Sequence, residues 1–195
     1  MKYNLSEINE LIKERRTIYP KDFSPRKVHK EIVENILRNA TWAPTHGLTQ
    51  PWRFKVYTGE ATIALGHTLA ELYKATTAPE NFKERKQENW SLRPAQSSVV
   101  IAIIAELHSN PNIPVIEDKL AVACAVQNMM LTATAYGIGS FWSTGAMVYS
   151  QDMCRALDLK ENQECLGFLY LGYAKDEWPK SHRKPIEYLT EWIDE

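Results

Sequence analysis

Two amphipathic helices are predicted near the amino terminus from the spacing of apolar residues. Residues 4–15 carry an apolar side chain at every third or fourth position, which is the period of one helix face. The same spacing recurs after Ser24. Because Ser24 is a suitable N-cap and Pro25 a suitable first residue, the sequence predicts a second helix that begins there and ends near Pro44.

Four segments have the composition of β-strands. Residues 52–58 alternate between apolar and polar, as in a strand with one buried face. Residues 98–105 form a continuous apolar run, which indicates a central strand covered on both faces. Residues 140–147 and 166–173 are further candidates. With helices between the strands, we expect one α+β domain over residues 1–195, with a mixed sheet of about four or five strands between two helical layers.

The longest apolar stretch predicts a helix that is buried on all sides. Residues 117–136 lack a polar face, and no charged side chain occurs between Leu120 and Gln151. Polar residues interrupt this stretch, and Gly137 and Gly139 break it, which argues against a membrane span. A single chain of this size cannot easily bury every face of such a helix, so we expect a second copy to bury the remaining face in a homodimer.

Charge and cysteine content exclude several classes of protein. The formal net charge of −1 gives no indication of a nucleic-acid or membrane partner. The three cysteines match no metal or disulfide spacing, so we expect a reducing, cytoplasmic location. The charged segment 80–93 is interpreted as a solvated helical excursion. The alternative is that Lys83, Arg85, Lys86 and Arg93 meet a nicotinamide phosphate.

No motif of a self-contained catalytic site is present in the sequence. There is no Walker loop, no GxGxxG after a strand, no GxSxG and no HExxH. The five histidines lack the spacing of a metal site on one helix face. If the protein is an enzyme, a bound cofactor is therefore expected to supply the chemistry, with no metal.

Three segments carry polar groups suited to a ligand. Arg15, Arg16 and Thr17 follow the first helix and can grip a phosphate, although arginines there also simply favour the helix dipole. The loop containing His46 and Gln50 offers donors and acceptors for a planar heteroaromatic ring. The alternative is that His46 is simply solvated. Residues 143–145 end a predicted strand with hydroxyls and a glycine, which a ligand can approach closely; an ordinary turn is the alternative.

Together these segments resemble the nitroreductase family of flavoproteins. The landmarks are Arg15-Arg16-Thr17, Gln50-Pro51-Trp52, the strand end Ser143-Thr144-Gly145-Ala146, the segment 167–173 and Arg183-Lys184-Pro185. They span nearly the whole chain. The small bacterial members carry a histidine four residues before the glutamine, and His46 stands at that position here.

The resemblance implies a homodimeric, FMN-dependent oxidoreductase. Such an enzyme takes a hydride from NADH or NADPH and passes it to a nitroaromatic, quinone or related small acceptor in a ping-pong mechanism. FMN would lie at the subunit interface, with the His46 loop reaching it across the dimer. The implied cofactor-binding residues are Arg15, Arg16, Thr17, His46, Gln50, Trp142, Ser143, Thr144, Gly145 and Arg183. No catalytic side chain is implied, because solvent can supply protons.

Two positions depart from the family pattern. Leu48 stands where many members have asparagine, and Tyr19 where many have a basic residue, which leaves the hydrogen bonds to the flavin ring open. Fold and cofactor do not fix the substrate. The alternatives are an enzyme of the same fold with dehalogenating or flavin-consuming activity, an FMN-binding protein without turnover, and an interaction protein without a cofactor.

Overall fold

In the computed structural model, which describes residues 2–194, at least one helix separates each strand from the next along the chain. The helices are α1 (Leu5–Glu14), α2 (Lys30–Ala40), α3 (Glu60–Thr76), α4 (Glu84–Ala95), α5 (Val115–Ala135) and α6 (Gln151–Ala156). The strands are β1 (Trp52–Thr58), β2 (Val99–Glu106), β3 (Gly139–Ser143) and β4 (Gln163–Gly172).

The four strands form one sheet in the order β1-β2-β4-β3, so β1 and β3 are its two edges. Each pair of neighbouring strands is antiparallel. Parallel pairing is limited to an isolated bridge between Thr17 and Ser140, beside the β3 edge. The predicted α+β class and the number of strands are confirmed, but the four-stranded sheet is antiparallel and not mixed as predicted.

Two hydrophobic cores lie on opposite faces of the sheet and give the fold three layers. On one face α2 and α5 pack against the strands, with Ile36 and Val126 fully buried. On the other face α3 and α6 contribute Leu69 and Met153, which join Phe168 of β4 in the second core. Strand β2 lies between the cores and is buried along most of its length, as its apolar run predicted.

The second helix begins later than the sequence predicts. Its N-cap is His29, so Ser24 is not the cap and Pro25 is not the first helical residue. The backbone N–H of Ser24 instead donates to the carbonyl of Tyr173 at 2.7 Å, just beyond the end of β4. This tertiary hydrogen bond holds the segment against the sheet and overrides the local capping preference.

Strand β3 is shorter than the predicted segment 140–147. It ends at Ser143, and Gly145, with a φ of 143°, turns the chain away from the sheet. The N–H of Tyr149 donates to the carbonyl of Gly145 at 3.2 Å and closes this turn. The polar groups of residues 143–145 therefore lie at a strand end, where they can face a ligand.

Helix α5 buries one side within the protomer and exposes another. Val126 and Met130 lie in the core, so a charge at either position would disrupt the fold itself. Ile116 and Leu120 are each 57% exposed and continue to Cys124 along the opposite face. The helix is therefore not covered on all sides within one protomer. Among residues 2–194 no helix, α5 included, has the length and apolarity needed to cross a membrane.

Candidate functional site

The predicted phosphate-binding residues lie at the free edge of β3. Helix α1 ends where Arg15 leaves the helical conformation, with φ −52° and ψ 122°. The chain then runs beside β3, where the N–H of Ile18 donates to the carbonyl of Ser140 at 3.0 Å. Thr17 bridges the same strand residue. Arg15 and Thr17 are therefore fixed next to the strand that ends at Ser143.

Three guanidinium groups lie near one another at this edge. Burial lowers the pKa of the half-buried Arg15, and the positive charges of Arg183 and Arg16 lower it further. Arg16 donates from Nε to the carbonyl of Pro179 at 3.0 Å, which ties the C-terminal segment to the end of α1. Arg183 donates to Ser181 Oγ at 2.8 Å. Within residues 2–194 none of the three arginines pairs with a carboxylate, so an anion would stabilise the cluster.

An open cleft of about 670 Å³ begins at the end of β3. Ser143, Thr144 and Gly145 line one wall, and the end of α3 together with α4 forms the other. The volume falls within the usual range for small-molecule sites. In the described part of the chain, the hydroxyls of Ser143 and Thr144 make no hydrogen bond, so both are available to a ligand.

Trp142 points to the opposite face of the sheet from this cleft. Its side chain packs against the core beneath α5. Gly167 makes room for it, because a Cβ at that position would lie 2.2 Å from the indole Nε1. Among the described residues, Nε1 of Trp142 and the hydroxyl of Ser140, on the same face, are buried without a hydrogen-bond partner. The structure thus separates Trp142 from the other predicted residues of the strand end.

His46 and Gln50 lie on a constrained loop that is anchored to the start of α5. Nδ1 of His46 is in hydrogen-bond contact with Glu117, while 57% of the His46 side chain stays exposed. The hydroxyl of Thr49 donates to Asp118 at 3.0 Å. Gln50 has a φ of 46°, a left-handed conformation that the surrounding contacts must hold. The loop therefore presents His46 and Gln50 outward from a fixed base.

This loop and the arginine cluster lie at opposite edges of the sheet. The loop leads directly into β1, whereas Arg15 and Thr17 lie beside β3. Three strand spacings of about 4.8 Å separate the two edges by roughly 14 Å. One protomer thus places the arginine cluster and the residues around Ser143 along the same edge strand, the former toward its start and the latter at its end, but it does not place His46 and Gln50 there.

Asp118→Ala should destabilise the loop. Asp118 is 2% exposed and accepts hydrogen bonds from the hydroxyl of Thr49 and from the backbone N–H of His108, the latter at 2.8 Å. Removing the carboxylate leaves both donors without their acceptor, so we expect the free energy of unfolding to fall by about 1–3 kcal/mol. Urea denaturation measures this. Glu161→Ala on an exposed turn is the control, and equal stability of the two variants would contradict the anchoring role.

The structure favours the alternative interpretation of residues 80–93, in which the charged helix faces a ligand site. The charge content of residues 80–93 predicts a solvated face, yet Lys86, Trp90 and Arg93 all line the cleft. The signal was their spacing, because residues three and four apart share one helix face. A tryptophan within a charged helix indicates which face of the helix packs against the rest of the protein.

The structure places three arginines at the edge of a three-layer α+β sheet, an arrangement suited to an anionic ligand. Comparison with known families identifies the protein more closely. The model of the Nitroreductase family matches residues 12–173. The chain belongs to the nitroreductase family, as its landmarks predicted.

Individual relatives agree with this assignment. The candidate NAD(P)H nitroreductase YdjA of Escherichia coli K12 is 30% identical over 73% of this chain and 75% of its own length. A nitrobenzene nitroreductase of Ectopseudomonas oleovorans is 41% identical over 96% of this chain and 97% of its own. The crystal structure of a candidate nitroreductase from Desulfovibrio desulfuricans, in complex with FMN, has a TM-score of 0.73 at 22% identity and covers 98% of both chains. The last comparison confirms the fold.

Proposed function

We propose that the protein is an FMN-dependent oxidoreductase that transfers electrons from NADH or NADPH to nitroaromatic, quinone or related small acceptors. The observation that carries this proposal is the pair Arg15 and Arg183 at the β3 edge, which has no carboxylate partner within residues 2–194, together with the cleft that begins at the far end of the same strand. The FMN complex of a protein with this fold supports the cofactor. The relatives named as NAD(P)H and nitrobenzene nitroreductases support the reductant and the acceptor class.

The donors at the β3 edge fit a phosphate monoester. Arginine offers parallel N–H donors that match phosphate oxygens and stays charged at neutral pH. Arg15 has no protein acceptor in the described chain, and the exposed Thr17 adds a hydroxyl. Arg183 lies on an exposed segment and can turn toward the ligand. Arg16 is bound to backbone carbonyls, so we assign it to holding the C-terminal segment in place.

The end of β3 is the proposed support for the flavin ring. The hydroxyls of Ser143 and Thr144 and the backbone at Gly145 face the cleft and would hold the ring edge. When bound, FMN supplies the redox chemistry, because it accepts two electrons from a reduced nicotinamide and delivers them to an acceptor. The residues of the cleft orient the ring and admit reductant and acceptor in turn, as a ping-pong order requires. No side chain is assigned as an acid, because the cleft is open to solvent.

The proposed active form is a homodimer that completes the site. Because His46 and Gln50 lie at the sheet edge opposite to Arg15, a twofold partner would supply them to the flavin held by the other subunit. Two flavins per dimer follow from this symmetry. Helix α1, which packs on α5, adds Ile8 and Ile12, 41% and 52% exposed, to the apolar surface of α5. Exposed apolar surface of this kind usually marks an interface.

The C-terminal segment supplies more apolar surface for the same interface. Its large apolar side chains are between 65% and 84% exposed and are Ile186, Tyr188, Leu189, Trp192 and Ile193. Within residues 2–194 the segment after Pro185 forms only a short 3₁₀ turn, so few contacts of its own protomer hold it. We propose that it lies against the partner subunit.

The flavin released from the denatured protein should be FMN. The arginine cluster suits a terminal phosphate, and the sequence carries no dinucleotide fingerprint. Chromatography of the released flavin, after reconstitution if needed, distinguishes FMN from FAD.

The loaded protein should also oxidise NADH or NADPH when nitrobenzene or a quinone is present. Release of FAD, or no flavin bound at all, would contradict the cofactor assignment, and bound FMN without oxidation would indicate a protein without turnover.

A further inference from the structure

Arg93 is a half-buried cation without a partner on the α4 wall of the cleft. Its guanidinium lies over the ring of Phe141, with Cζ 5.3 Å from the ring centroid. Within residues 2–194 the guanidinium forms neither a hydrogen bond nor an ion pair. The hydroxyl of Ser97 donates to the backbone carbonyl of Arg93 and does not involve its side chain. The hydrogen-bonding capacity of the guanidinium is therefore unused by the protein.

The sheet beneath Arg93 offers no anion to neutralise it. The nearest aromatic neighbour, Phe141, stacks on Tyr170 of β4 with ring centroids 5.7 Å apart. The hydroxyl of Tyr170 is buried and has no hydrogen-bond partner in the described chain. Burial raises the pKa of Tyr170, and the positive charge of Arg93 opposes part of that rise. Tyr170 therefore stays neutral and does not neutralise the positive charge of Arg93, which faces the cleft.

Other charges around Arg93 reinforce its field. Arg93 lines both the main cleft and a neighbouring one of about 210 Å³, to which Lys21 and Arg85 contribute. Lys86 lines the main cleft. The one carboxylate among the residues that line either cleft is Asp152, and it pairs with Arg155. The α4 wall is thus positive without a matching negative group, opposite the segment that holds Ser143.

We infer that Arg93 determines substrate specificity by binding a phosphate or carboxylate group on a substrate whose reacting ring lies against residues 143–145. This inference rests on the proposed function, because it places the reacting ring at the end of β3. We assign one of two anions that a matched substrate lacks: the 2′-phosphate of NADPH, which NADH does not carry, or a carboxylate on the acceptor, which nitrobenzene does not carry. An arginine held over an aromatic ring presents its planar edge to either group in a bidentate arrangement.

Arg93→Gln in the FMN-loaded protein tests the inference. We expect the KM of the anionic substrate to rise about tenfold, the usual effect of losing a charge-assisted hydrogen bond, with kcat changed less than about twofold. The substrates are compared in pairs: NADPH with NADH, and 4-nitrobenzoate with nitrobenzene. A rise for NADPH alone identifies the 2′-phosphate, and a rise for 4-nitrobenzoate alone identifies the acceptor carboxylate. Unchanged KM values for all four, or equal rises within both pairs, would overturn the inference.

Two further variants separate the charge of Arg93 from its packing. Arg93→Lys keeps a positive charge and should recover most of the affinity. Arg38→Gln is the matched control, because Arg38 is exposed on α2, bonds only to Asn35 and lies in the opposite helical layer. If Arg93→Gln does not fold, Arg93→Met replaces it. A folded Arg93→Met with the tenfold rise in KM supports the inference, and a folded Arg93→Met with unchanged KM values overturns it.

Direct binding distinguishes failure of this inference from failure of the proposed function. Isothermal titration with NADP⁺, NAD⁺ and 4-nitrobenzoate needs no turnover. The wild type should bind the anionic probe about tenfold more tightly than Arg93→Gln even if nicotinamide oxidation is never observed. Equal affinities of the two proteins for all probes would overturn the role of Arg93, whatever the activity of the enzyme.

Discussion

Leu120→Asp is expected to convert the proposed homodimer into monomers and to release flavin at the same time. Leu120 is 57% exposed on the face of α5 that points away from the core, so the substitution leaves the core of the protomer intact. Burying a leucine contributes about 1.5–3 kcal/mol, and the twofold axis brings two copies into the interface. An unpaired carboxylate buried there costs several kcal/mol more. Dimers should therefore dissociate at micromolar concentration.

Sedimentation velocity recorded at both protein and flavin wavelengths measures this effect. The control is Ile63→Asp, since Ile63 is also a partly exposed apolar residue, 42% exposed, but lies on α3 in the other helical layer. That variant should remain a yellow dimer. A Leu120→Asp protein that is folded, monomeric and still holds a full complement of FMN would show that the site belongs to a single subunit. Val126 and Met130 are unsuitable for this test, because both lie in the core of the protomer.

Arg15→Ala is expected to weaken FMN affinity by about 1.5–3 kcal/mol, which is roughly 10- to 150-fold in the dissociation constant. The reason is that Arg15 is half-buried and has no protein acceptor in the described chain, so its loss removes a charge-assisted contact with the phosphate. Arg183→Ala should weaken binding less, because that side chain is exposed and already bonds to Ser181. Fluorescence titration of the apoprotein with FMN measures both constants.

A second ligand isolates the contribution of the phosphate. Riboflavin lacks the phosphate, so its affinity should be nearly the same for Arg15→Ala and the wild type. Lys13→Ala is the control on the same helix, because Lys13 is exposed and only its backbone carbonyl is bonded. If Arg15→Ala weakens riboflavin and FMN equally, Arg15 shapes the fold of the site and does not bind the phosphate.

The sheet could be predicted from the sequence because its strands bury apolar residues in regular patterns. The continuous apolar run of residues 98–105 matches a strand covered on both faces, and the alternation in residues 52–58 matches an edge strand. The start of α2 could not be predicted in this way. Ser24 has the local chemistry of a cap, but its N–H bonds to Tyr173, which is distant in sequence. A local preference for helix capping does not determine the structure where a long-range hydrogen bond fixes the backbone.

The placement of the predicted site residues followed from the sequence where those residues are close to a strand or a helix end. Arg15–Thr17 and Ser143–Gly145 lie along one edge strand because a short segment runs beside β3. The anchoring of the His46 loop by Asp118 was not predictable, because it depends on the packing of α5 against the end of the sheet. The sequence offered Arg93 only as one of four basic residues that could meet a nicotinamide phosphate, and the fold singles it out by turning α4 toward the cleft.

Anaerobic stopped-flow mixing of the FMN-loaded protein with NADH or NADPH tests the proposed function most directly. The flavin absorbance band should bleach with at least one of the two nicotinamides, and a second mixing with nitrobenzene or a quinone should restore it. Restoration without nicotinamide present is what a ping-pong order predicts. Persistent absorbance with both nicotinamides, in a protein shown to hold FMN, would contradict the account and identify a flavin-binding protein without this activity.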